Sequence, residues 1–203
     1  MFARLLACFF ALAISLPTFA QSEPPGTLIE RVSTEVLAIL QKSDVKLDRQ
    51  AVMALVQEKV LPHFDFTRMT ALATGLGWRS AQPEQQTELV AQFRTLLVRT
   101  YSTALTRYDN QTLEFQPARF SADQSKAVVR SLLKQPGAPV LTIDYRMSKL
   151  ASGEWKIFDV TVDGVSLVTT YRDSFAEEVR ARGIDGLIRM LVAKNGELAA
   201  KQA

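Results

Sequence analysis

From Leu28 the apolar positions Ile29, Val32, Val36, Ile39 and Leu40 recur every three or four residues, the spacing of one helix face. A second stripe, Val52, Leu55, Val56 and Val60, follows, with Asp48 placed to cap its start and Pro62 to end it. Asp65 can cap a short third helix through Ala73, closed by Gly75 at the left-handed position that often ends a helix. Pro83 then falls in the first turn of a long helix, whose stripe is Leu89, Phe93, Leu96, Leu97, Tyr101, Ala104, Leu105 and Tyr108.

After Asp109-Asn110 the period drops from helical to two. Leu113 and Phe115 alternate with Glu114 and Gln116, Val128 to Leu133 follows, and Pro136-Gly137 makes a turn. Leu141, Ile143, Tyr145 and Met147 then alternate with Thr142, Asp144 and Arg146, and Ser152-Gly153 turns the chain into Trp155 to Val162. Four strands on short connections predict an antiparallel meander. Its inner face is expected to carry Leu113, Phe115, Ile143, Tyr145, Met147, Phe158, Val160 and Val162. Helix returns with Tyr171, Phe175 and Val179, stops at Gly183, and restarts at Asp185 with Leu187, Ile188 and Leu191. The pattern predicts an α+β fold: a four-stranded curved antiparallel sheet covered by helices, with an N-terminal helical portion and C-terminal helices.

The first twenty residues break this order. Arg4, the unbroken apolar run Leu5 to Ile14, Pro17 and the ending Thr18-Phe19-Ala20 have the layout of a secretory signal. Ten apolar residues are too few to span a hydrocarbon core, which takes about 20. The expected division is a signal peptide over residues 1–20 and one domain over 21–203. Cleavage would remove Cys8, the sole cysteine, and send a cysteine-free chain to an oxidising compartment.

Composition narrows the chemistry. At 47% hydrophobic and 22% charged the chain has an ordinary globular balance, and a net charge of +3, evenly scattered, does not argue for nucleic acid. With Cys8 and His63 the only residues of their kinds, a zinc site of Cys and His ligands is excluded. His63 sits between Pro62 and Phe64, where a histidine is more often packed than catalytic. Gly164-Val165-Ser166-Leu167-Val168 lacks the second glycine of a nucleophile elbow, so Ser166 reads as a turn or cap serine. Gly75-Leu76-Gly77-Trp78 follows a helix, where a dinucleotide fingerprint would need a strand, and reads as a helix stop. Asp144, Asp159 and Asp163 lie on or beside strands, but Asp144 falls on the polar face of the sheet. Patterning alone does not distinguish a filled core from a lined cavity.

Several segments resemble the MlaC family of periplasmic phospholipid carriers, also called the toluene-tolerance family. They are Pro62-His63-Phe64-Asp65-Phe66, Gly75-Leu76-Gly77-Trp78-Arg79 followed by Pro83-Glu84-Gln85-Gln86, and Val98-Arg99-Thr100-Tyr101. Trp155 to Val160 running into Asp163-Gly164-Val165-Ser166-Leu167-Val168, Tyr171 to Phe175 and Gly183 to Ile188 extend the match over nearly all of the chain beyond the signal. A hopanoid-associated subgroup shares the pattern.

The resemblance implies a periplasmic protein that is no enzyme and needs no cofactor. Its cargo would be phospholipid, passed between an outer-membrane lipoprotein complex and an inner-membrane ABC transporter complex to maintain outer-membrane lipid asymmetry. Acyl chains would lie inside and the head group outside. From the helix and strand faces, the expected lining is Leu97, Tyr101, Leu105, Tyr145, Met147, Phe158, Val160, Val162 and Val168. Docking is expected near the pocket mouth, around Lys149, Lys156 and Arg172. The rival reading is an α+β isomerase or dehydratase, with Asp159 and Tyr145, or His63, as its acid-base groups.

Overall fold

A computed structural model describes residues 23–42, 49–102 and 111–201 of the chain. Residues 1–20, read above as a secretory signal, Asp48 and the stretch from Ala104 through Leu105 to Tyr108 lie outside the described residues.

Helix α1 spans Pro25–Lys42 and α2 spans Arg49–Leu55. The chain then widens into a π-helical turn, Val56–Val60, and tightens into a 3-10 turn, Leu61–His63, with Pro62 inside it. A proline that cannot donate its backbone nitrogen ends the helix here, as expected. Helix α3, Phe66–Thr74, starts where the Asp65 carboxylate accepts the Arg68 N–H at 2.9 Å. It stops at Gly75, whose φ of 63° suits glycine. Helix α4, Leu76–Ser80, leads to α5, Pro83–Tyr101. There the Gln82 N–H donates to Gln85 Oε1 at 3.0 Å, half of a capping box.

Six strands follow: β1 Thr112–Phe115, β2 Arg119–Phe120, β3 Lys126–Lys134, β4 Leu141–Lys149, β5 Trp155–Val162 and β6 Val165–Ser166. They form one antiparallel sheet in the order β1-β3-β4-β5-β6, with β2 also paired to β3. The four long strands of the meander are all present. The two extra strands are only two residues long, too short to leave an alternation in the sequence.

Register places Leu113, Phe115, Val129, Ser131, Ile143, Tyr145, Ile157, Val160 and Val162 on one face. A bulge between β4 and β5 alters the alternation: Arg146 pairs with Asp159 while Met147 pairs with Ile157, leaving Phe158 as the extra residue. Phe158 consequently turns to the opposite face, with the Arg146 guanidinium 5.3 Å and that of Arg68 4.0 Å from its ring centre. Strict alternation had put Phe158 inside, and the inserted residue is the physical reason it is not.

Helix α6, Arg172–Ala200, breaks at Gly183, where φ is 70° and ψ −173°. It packs against α5 and α3 to make a filled core, in which Leu89, Phe93, Leu96, Leu187 and Leu191 are fully buried. The Phe93 ring meets Tyr171 and Phe175 edge-on at 5.3 and 5.4 Å. Asn195 ties the helices together, its Nδ2 donating to the Gln92 carbonyl and to Gln92 Oε1. A second cluster joins the start of α1 to the sheet through Leu28, Ile29, Val129, Met147, Trp155 and Ile157.

Candidate functional site

Between the middle of the sheet and the helices the interior is not filled. One chamber of about 330 Å³ lies between α1 and the sheet; Val32, Val36, Leu37, Leu113, Leu133 and Ile157 belong to its walls. A second, of about 350 Å³, lies between the π-helical turn, the end of α5 and the sheet; Val56, Leu61, Leu97, Tyr101, Val160 and Val162 line it. The chambers share Val60, Phe64, Ile143 and Tyr145, so they adjoin across these four side chains.

The local sequence explains the space. Helix α1 presents Leu28 and Ile29 to the sheet at its start, then Val32, Ser33 and Val36, which are short. Short side chains on a helix opposite a curved sheet leave a gap where Phe or Leu would close it. The π-helical turn pushes Val56 and Val60 toward the gap, and a single turn of this kind inside a helix is a local device for re-aiming side chains.

The expected lining residues separate into three groups. Leu97, Tyr101, Tyr145, Val160 and Val162 are together in the second chamber. Met147, Phe158 and Val168 line neither: Met147 and Val168 are fully buried in the two filled clusters, and Phe158 is across the bulge. Leu105 lies outside the described residues. The reading of the sequence missed α1 as a wall altogether, although its stripe was visible. Ile39, which its spacing placed on the same helix face, is 37% accessible.

Polar groups in the walls are few. Tyr145 faces both chambers, and burial pushes its phenol up, opposed by the hydroxyls of Ser131 and Ser33. Tyr101 is pushed up to about 12, first by burial and then by Tyr171 beside it. Both phenols are therefore neutral and uncharged against the apolar space. His63 lines the first chamber; burial, then the positive charges of Arg31 and Lys156, hold its pKa below the usual imidazole value. Lys156 Nζ donates to the Pro62 carbonyl at 2.9 Å next to it. Arg31 is held by Glu23 at 2.8 Å and Glu35 at 3.2 Å.

The acid-base pair proposed for an enzyme is not assembled. Asp159 accepts the Ser166 hydroxyl, with both carboxylate oxygens 2.8 Å away, and pairs with Arg146 at 3.4 Å on the face opposite Tyr145. Ser166 Oγ also accepts the N–H groups of Val168 at 3.2 Å and Thr169 at 2.9 Å, which makes it the turn serine of the two roles read from the sequence. Asp144 is held on the outer face by two Arg130 hydrogen bonds of 2.7 Å. Arg172, expected at the mouth, instead donates to the Leu72 carbonyl at the edge of a separate groove.

An α+β domain whose sheet and helices border two adjoining, largely apolar chambers is by its chemistry suited to hold an apolar molecule. The chain belongs to the MlaC family, described as MlaC protein, which it matches over residues 30–193. It is 29% identical over 98% of its length, and 90% of the relative's, to the toluene tolerance protein ttg2D of Pseudomonas putida. It is 24% identical over 81% of its length, and 78% of the relative's, to the intermembrane phospholipid transport system binding protein MlaC of Haemophilus influenzae. The phospholipid-binding protein of Ralstonia solanacearum, solved in complex with a phospholipid, superposes with a TM-score of 0.78 at 36% identity. That match covers 87% of this chain and 99% of the other.

Proposed function

We propose that this chain is a periplasmic phospholipid carrier whose two chambers receive acyl chains while the head group stays at the surface. The observation that carries the reading is the pair of adjoining chambers, of about 330 and 350 Å³, lined almost wholly by apolar side chains. The Ralstonia relative supports it, being a phospholipid complex on the same fold. No helix among the described residues is long and apolar enough to cross a membrane. In this reading residues 1–20 direct export, 21–203 are the carrier, and its partners are an inner-membrane ABC transporter complex and an outer-membrane lipoprotein complex. Its role is to maintain outer-membrane lipid asymmetry.

The energetics suit exchange rather than storage. Taking some 30 methylenes out of water at about 0.8 kcal/mol each gives a gross gain of roughly 24 kcal/mol, beyond the practical limit of non-covalent affinity. Water is the wrong reference, because the lipid arrives from one apolar medium and leaves for another. The net free energy of exchange then lies near zero, and the protein lowers the barrier to crossing water. Walls with so few hydrogen-bonding groups read chain length and volume more than head-group chemistry.

The test is an organic extract of gently purified protein, analysed by mass spectrometry. Phospholipid in near-stoichiometric amount, tracking the composition of the host membrane, is the expected result. An extract empty of lipid would contradict the reading. Val160→Arg puts a charge into a dry wall, so the folded variant is expected to lose its lipid.

A further inference from the structure

A second concavity lies away from the chambers and shares no residue with them. It is a groove of about 790 Å³ between α3, α4 and the first half of α6. The Gly75-Leu76-Gly77-Trp78-Arg79 segment, which the chambers leave without a role, forms one wall. Gly77 lets that wall close on α6: a Cβ there would stand 3.3 Å from both Val179 and Ile184. Leu76, at the tip, is 85% exposed, the most exposed large apolar residue among those described.

Charge on this groove is one-sided. Arg68, Arg79, Arg172 and Arg180 border it against the single acid Asp173. Four arginines against one aspartate give the groove a formal charge of +3, as large as that of the whole chain. None of these four arginines makes an ion pair among the described residues, whereas Arg31, Arg130, Arg146 and Arg182 all do. Two are fixed in place, Arg172 by the Leu72 carbonyl and Arg68 over the Phe158 ring, while Arg79 and Arg180 are exposed. Thr74, on the floor, has a buried hydroxyl with no hydrogen-bond partner in the structure, a state that folded proteins seldom leave uncompensated.

We infer that this groove docks an acidic segment of a partner protein, with carboxylates on the guanidinium forks and an apolar side chain against Leu76. Fork-shaped donors match carboxylates two bonds at a time. A concave site selects an inserted segment over the flat face of a bilayer, which would meet a convex patch. Because groove and chambers are separate, docking leaves the cargo untouched, and rim charge speeds encounter without building a slow-dissociating interface.

The experiment uses the full chain and a fluorescein-labelled peptide of repeated Glu-Glu-Leu, read by fluorescence anisotropy. Binding is expected at low salt and is expected to weaken as salt rises. The double variant Arg79→Glu/Arg180→Glu should weaken it by about tenfold or more. Lys126→Glu, on the sheet, should leave it unchanged, and melting temperature and extracted lipid should match the unaltered protein in both variants. No peptide binding at low salt, or equal loss in Lys126→Glu, overturns the inference. So does arginine-dependent sedimentation with phosphatidylglycerol vesicles in the absence of peptide binding, which would make the occupant a bilayer. An unaltered protein that binds the peptide but yields no lipid on extraction would count against the carrier reading alone.

Discussion

The helical end of the molecule and the space beneath its sheet are built from the same residue types and end in opposite states. Around Phe93, aromatic and leucine side chains from α3, α5 and α6 interlock until none of the central residues is accessible. Beneath the sheet, Ile143, Tyr145, Val160 and Val162 are equally apolar yet keep accessible surface, because the walls that face them include short side chains, Val32, Ser33 and Val36 of α1 across one chamber and Val56 and Val60 of the π-helical turn across the other. Apolar character sets which face turns inward, and the volume of the opposing residues decides whether that face is packed or left lining a space.

Stability measurements can break this contrast. Phe93→Ala removes an interlocked ring and should cost about 3–5 kcal/mol in denaturant unfolding. A loss below about 1 kcal/mol would show that the helical end is loosely packed. Met147→Ala should cost about 2–5 kcal/mol and leave the lipid load intact, because Met147 fills the α1–sheet cluster and lines no chamber. Val160→Ala enlarges a space that already exists, so its stability loss in delipidated protein should be less than about 1 kcal/mol. If Val160→Ala cost as much as Met147→Ala, the two environments would be alike.

The smallest expected effect is electrostatic. Asp144 has its pKa lowered chiefly by its hydrogen bonds with Arg130. A carboxylate depressed in the folded state adds stability above its unfolded pKa and loses it as pH falls through the folded value. The unaltered protein should therefore lose slightly more stability than Asp144→Asn on acidification below the ordinary carboxylate range. High salt should shrink that difference, since the pair is partly exposed. Identical acid profiles would show that the pair contributes nothing.

Most of the fold was legible in the sequence because punctuation agreed with periodicity. Asp65, Gly75, Pro83 and Gly183 stop or start elements where the residue type demands it. The site was half legible. Alternation located Tyr145, Val160 and Val162, but it has no means of registering the bulge that turns Phe158 outward. Periodicity on β4 treats Tyr145 and Met147 alike, although one faces a gap and the other meets Leu28 and Ile29 of α1. The difference lies in the partner helix, a hundred residues away in the chain. Val168 likewise sits beside the sheet in sequence but packs in the helical core.

The most direct test is crystallographic: the protein loaded with a phospholipid brominated along its acyl chains, with data collected at the bromine absorption edge. The account predicts anomalous peaks inside the chambers, next to Tyr145 and Val160 and on both sides of the Phe64 divide. Peaks confined to the outer surface or to the groove between α4 and α6, with both chambers empty, would contradict it.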